Sequence, residues 1–198
     1  MTHSLHRRGD FDNLKGDYVI LAMLAAGKND KHPDARQKLL RIAQIFKNHN
    51  PTNILTEKAW KISSVIQAAF TEIKDVKRVI QTLKKEDLGI SIVVSGLLNE
   101  IEDVLKDIGL EMHTVHLSLG TFGKKELLPS DKILEITTMC GHHCVSPQSV
   151  EYYLDLIKKD KISIENAAEE LAKPCVCGIF NTSRTINLLS ELSKEERK

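Results

Sequence analysis

The chain has 198 residues, with 28 Lys and Arg against 27 Asp and Glu, a formal net charge of +1. So even a balance removes the long-range attraction on which a dedicated nucleic-acid binder relies. Hydrophobic residues make up 41% and charged residues 28%, which suits a chain that folds by burial and not a disordered one. The longest apolar run, Tyr18 to Ala26, is far short of the ~20 residues of a membrane-spanning helix. The polar start "MTHSLHRRGD" has no apolar stretch of the kind a secretory leader carries. The expectation is a cytoplasmic protein with neither membrane nor nucleic acid as partner.

In chain order, "DYVILAMLAAGKND" reads as a buried strand running into a loop at Gly27-Lys28-Asn29. "PDARQKLLRIAQIFKNHN" then carries Leu39, Leu40, Ile42, Ile45 and Phe46 at helical spacing. From Thr56 to Lys85, Ile62, Ile66, Phe70, Ile73, Val76, Ile80 and Leu83 recur mostly every three or four residues. That spacing predicts helix with a break near Thr71, against a rival in which "SVIQAAF" is a strand.

The stretch "DLGISIVVSGLLNEIEDVLKDIGLEMHTVHLSLG" predicts a strand over 90–94, a tight turn at Ser95-Gly96, and a helix over 97–108 closed by Gly109. A second strand over 112–117 follows, and strand, helix and strand in so short a span imply a parallel crossover. "KILEITT", residues 132–138, is expected to be a last strand leading into Cys140. Three helices follow, capped by Ser146 with Pro147, capped by Ser163, and running from Gly178 to Leu192. The fold class expected is therefore α/β: a short, mostly parallel sheet flanked by helices, with a C-terminal helical segment carrying the cysteines. The division expected is a core over 1–138 and a cysteine-containing segment over 139–198, packed as one unit.

All four cysteines lie in the last third, in "TTMCGHHCVSP" and "KPCVCGIFNTSR". In a reducing compartment, two tight pairs read as metal ligands or redox thiols more naturally than as structural disulfides. Cys140 and Cys144 are separated by three residues and Cys175 and Cys177 by one, whereas zinc ribbons usually place two residues inside each pair. Apolar neighbours and the closeness of Cys144 and Cys177 to expected helix starts favour an iron–sulfur cluster on Cys140, Cys144, Cys175 and Cys177, with zinc the alternative cofactor.

In a parallel sheet, ligands bind beyond the carboxyl ends of the strands. That rule gathers Asn29, Ser95, Ser118 and the cationic loop residue Lys124 at one edge with the cysteines. Arg184 is expected to hold a substrate carboxylate bidentately. His142, His143 and His116 are the candidate proton carriers. His3, His6, Arg7 and Arg8 could fold over the pocket and grip an anion, or form a solvated basic end. The function expected is an iron–sulfur or metal-dependent enzyme or enzyme subunit, of lyase or redox type, acting on a small anionic carboxylate. A homo-oligomer or a partner subunit is compatible with it. The alternatives are a non-catalytic protein with structural zinc and an enzyme using a cysteine thiolate as nucleophile.

Overall fold

The computed structural model describes residues 7–195. His3 and His6 lie outside the described residues. After a short helix α1 (Phe11–Leu14), the chain enters β1 (Tyr18–Met23), then α2 (Ala35–Lys47), β2 (Asn53–Ile54) and α3 (Glu57–Trp60). Next come β3 (Val65–Phe70), α4 (Ile73–Glu86), β4 (Ser91–Ser95) and α5 (Leu98–Asp107). A segment with one 3-10 turn (Lys125–Leu127) leads to α6 (Asp131–Thr137), α7 (Pro147–Lys158), α8 (Ile164–Ala172) and α9 (Thr182–Glu195).

The four strands form one sheet in the order β2-β3-β1-β4, and all three pairings are antiparallel. The expected mostly parallel sheet is thereby overturned. Antiparallel pairing sets Val19 opposite Ser95 and Met23 opposite Ser91. The exits of β1 and β4 therefore lie at opposite ends of the sheet, and no common carboxyl edge exists.

Three element readings fail for physical reasons. Residues 65–70 are the central strand β3, buried at every position but the first. Over 62–70 the apparent helical period was accidental, since Ile62, its first member, is 82% exposed, whereas from Ile73 onward the same spacing does form helix α4. A strand covered on both faces shows no alternation, so its β-branched content was the better guide.

Residues 112–117 do alternate, yet they form no strand: Val115 and Leu117 are exposed. Residues 132–137 lie in helix α6, with Ser130 at its N-cap and Thr138 at its C-cap, and Ile133, Leu134, Ile136 and Thr137 are buried on one stripe. Spacings of one, three and four residues put these four on one helical face.

Two cores result. One face of the sheet carries Tyr18, Ile20, Ala22, Ile66, Ala68 and Phe70, packed under α2, α4 and α5. Phe46 of α2 meets Phe70 edge to face with ring centroids 6.4 Å apart. The second core lies among α6 to α9 and contains Met139, Val145, Val150, Leu154, Leu171, Phe180, Leu188 and three of the cysteines, with Val19 reaching it from the sheet. The expected caps are in place here: Ser146 accepts from the Ser149 amide at 3.0 Å and Ser163 from the Asn166 amide at 3.2 Å. The last helix starts at Thr182 and not at Gly178, because Asn181 caps it by accepting from the Arg184 amide at 2.9 Å. Among the described residues no helix is long and apolar enough to cross a membrane.

Candidate functional site

The first cysteine loop forms where α6 runs out. The amides of Met139 and Cys140 close the last helical turns onto Ile136 and Thr137 carbonyls, and the His143 amide bonds the Cys140 carbonyl at 3.0 Å. His143 takes a left-handed φ of 56°, which reverses the chain before Ser146 starts α7. The second loop is a turn in which the Gly178 amide bonds the Cys175 carbonyl at 3.1 Å.

Gly178 has φ 74°, and a Cβ there would lie 2.1 Å from the Ile54 carbonyl carbon and the Leu55 amide nitrogen. No residue but glycine can bring this loop so close to β2 without backbone movement.

These loops bring the two cysteine pairs together. Cys175 and Cys177 have their Sγ atoms 3.5 Å apart, and Cys177 Sγ is 3.8 Å from His142 Nδ1. Cys140 shares a hydrogen bond with Cys175, and Cys144 with Cys140. Cys140, Cys175 and Cys177 are buried, whereas Cys144 is exposed, its Sγ 3.9 Å from the His142 carbonyl oxygen. All four are free thiols. Their contacts run as a sequence of neighbours, and among the described residues no three His, Cys, Asp or Glu side chains gather as a metal site would.

The thiols are electrostatically unlike. The hydrogen bond with Cys175 and then burial push Cys140 up. The Cys140 bond pulls Cys175 down, but its bond with Cys177 and its burial leave it at about 11. The Cys175 hydrogen bond holds Cys177 below the ordinary thiol value. A shared proton stabilises one thiolate at its neighbour's expense.

A buried ionic seam fastens this site to the sheet. Arg7 pairs with Asp17 and donates to the Ile179 carbonyl and, at 3.3 Å, to the Met139 carbonyl. One guanidinium thus touches the backbone beside both cysteine loops. Arg184 donates to Asp17 at 2.7 Å and to Asn13 at 2.5 Å, and also to the Arg8 carbonyl. Asn181 donates to Asp17 at 3.0 Å.

Of the sequence-predicted residues, then, the four cysteines and His142 meet. His143 is exposed on the same turn. Arg184 stands at the seam with its side chain 2% exposed, occupied by Asp17. Asn29 bonds the Gly89 carbonyl at 3.2 Å at the far end of the sheet. His116, Ser118 and Lys124 sit on the exposed 111–128 segment, and Ser95, His116 and Ser118 share a separate cleft. The sequence reading missed Asp17, whose one signal was an acid abutting the apolar run of β1. Set beside family models, curated proteins and solved structures, the chain matches none of them.

Proposed function

We propose that the thiolates of Cys140, Cys144, Cys175 and Cys177 hold an iron–sulfur cluster or a single metal ion, and that the chain is an enzyme or enzyme subunit acting on a small carboxylate. One observation carries the proposal: two pairs far apart in sequence come side by side at the end of one apolar core. Inert core cysteines have no reason to pair in this way. Exposed Cys144 is the ligand that the site would recruit or release, and it lies two residues before Ser146, the N-cap of α7. His142, beside Cys177, is the group placed to carry a proton.

The test is iron, zinc and acid-labile sulfide per chain after anaerobic purification, with the visible spectrum of the same sample. Iron and sulfide with broad absorption near ~400 nm support the cluster, and single Cys→Ala changes then count its ligands. One zinc per chain in a colourless sample converts the reading to a structural staple, and metal-free protein after anaerobic reconstitution overturns it.

A second reading is favoured by the 3.5 Å Cys175–Cys177 contact, which suits a dithiol that oxidises to a disulfide. Incubation of metal-free protein with a low-molecular-weight disulfide, followed by peptide mass spectrometry, would reveal a Cys175–Cys177 bond. Random mixed disulfides at all four positions would discard this second reading.

A further inference from the structure

We propose that the cleft between β4 and residues 110–118 binds a monocarboxylate with an apolar body, its carboxylate received at Arg7. This deepens the carboxylate part of the functional reading and rests on it only there; no metal is needed. The cleft has a volume of about 1100 Å³, and its walls include Leu21, Met23, Val93, Leu97, Leu105 and Leu110. Small-molecule sites are mostly apolar and reach ~1,000 Å³, with a few placed polar groups that fix orientation. The apolar lining follows from the fold, because the helices α2, α4 and α5 cover one face of the sheet while Leu21, Met23 and Val93 on the other remain half-buried.

Arg7 and Asp17 also belong to the cleft wall. The Arg7 side chain is 5% exposed, and its terminal nitrogens are taken by Asp17 and two carbonyls. Its Nε–H is buried without a hydrogen-bond partner among the described residues. Such an unmet buried donor is destabilising, and a carboxylate oxygen is the acceptor that matches it best. Charge points the same way: Asp17 serves both Arg7 and Arg184, leaving one positive charge over in this trio, while Glu135 acts on the Arg184 side.

The other cation of the cleft, Lys84, is spent on the Ile108 and Gly109 carbonyls at 2.6 and 3.1 Å. The carboxylates of Asp87 and Glu111 also line the wall, so a second negative charge is repelled there, which selects a monoanion over a phosphate dianion. Because Arg7 also holds the Met139 and Ile179 carbonyls, a carboxylate there lies one guanidinium away from the cysteine loops.

The experiment is calorimetric titration of the full chain with octanoate, 1-octanol and inorganic phosphate, with metal content measured on the same sample. Octanoate should bind once per chain and about tenfold or more tightly than octanol, the worth of one charge-assisted hydrogen bond. Phosphate should not displace it. The ¹⁵N-resolved Nε–H resonance of Arg7 should move with octanoate and not with octanol.

Arg7→Gln should remove the preference for octanoate, and where that variant fails to fold, Val93→Trp fills the cleft from β4 while keeping the Arg7 side chain and should weaken octanoate by a similar factor. Equal affinity for octanoate and octanol, unchanged binding in Val93→Trp, or no saturable binding overturns the proposal. When metal is present, these results overturn it without touching the cysteine reading.

Discussion

Between Tyr18 and Phe70 on one side of the sheet, the buried side chains of the first core are apolar or aromatic, and they come from four helices, α2 to α5, and two strands, β1 and β3, with Leu24 and Leu55 from the adjoining loops. Across the sheet, the second core includes Cys140, Cys175 and Cys177 and is fastened by the buried Arg7–Asp17–Arg184 seam. The first core is held by burial, a non-directional force that tolerates substitutions conserving volume. The second depends on particular contacts, and a single wrong atom there removes something no neighbour can replace.

The largest expected effect tests that difference at Gly178. Gly178→Ala brings a methyl to 2.1 Å from the β2 backbone at a φ of 74°, so both sterics and conformation oppose it. We expect a loss of ~4 kcal/mol or more, at the far end of single-site effects, measured by urea unfolding. A loss under ~1 kcal/mol, in the range of ordinary surface changes, would mean that the second cysteine loop does not pack on β2 as described.

Next in size is Asp17→Asn, which leaves two buried guanidinia sharing no anion and should cost about 3–5 kcal/mol. It also carries a pH signature. Burial pushes the Asp17 carboxyl up, but the charges of Arg7 and Arg184 and hydrogen bonds from Arg7 and Asn181 outweigh it, so it titrates below the ordinary aspartate value. A carboxyl lowered in the folded state contributes stability that is full above its unfolded pKa of about 3.9 and is lost as pH falls below that. Native protein should therefore lose stability with acid below about pH 4 more steeply than Asp17→Asn does. Parallel acid limbs for the two proteins would show that Asp17 is not the anion of the seam.

How far each region could be read in advance follows the same division. The first core was legible wherever a helix had one wet face: α2, α4 and α5 emerge from the spacing of Leu39, Ile42 and Phe46, of Val76, Ile80 and Leu83, and of Ile101 and Val104. β3 was not legible as a strand by periodicity, because both its faces are covered. Strand direction was the larger failure. A parallel crossover was inferred from the alternation at 112–117, and in an isolated sequence nothing distinguishes an unpaired alternating segment from a strand. In the second core, the caps at Ser146 and Ser163 and the pairing of cysteines were legible because each is a local motif. Arg184 was recognised as chemically unusual, but the carboxylate it pairs with in the fold was not legible, since that partner lies 167 positions away in Asp17.

Smaller effects should distinguish the cores by their tolerance. Ile20→Val, at a fully buried position of the first core, removes one methylene and should cost about 1 kcal/mol. Its unfolding should stay cooperative, and the cysteines should keep their reactivity toward a thiol reagent, because Ile20 faces away from them. Accelerated labelling of Cys175 or Cys177 in Ile20→Val would show that the two cores are coupled through the sheet and would blur the comparison.

The smallest effects come from two helix caps that are chemically the same but differently placed. Ser146 and Ser163 each accept one amide hydrogen bond at the start of α7 and α8, and replacing either by alanine should cost about 0.5–1 kcal/mol. If helix caps only set stability, the two variants should be indistinguishable in every other measurement. Ser146, however, follows Cys144 by two residues, and the turn holding the first cysteine pair ends where α7 begins. Ser146→Ala should therefore also raise the labelling rate of Cys140, which is buried in native protein, whereas Ser163→Ala should leave it unchanged. Equal labelling in the two variants would mean that the cysteine loop is held by the Arg7 bonds to Met139 and Ile179 alone, placing all of the site's order in the ionic seam and none in the helix that follows it.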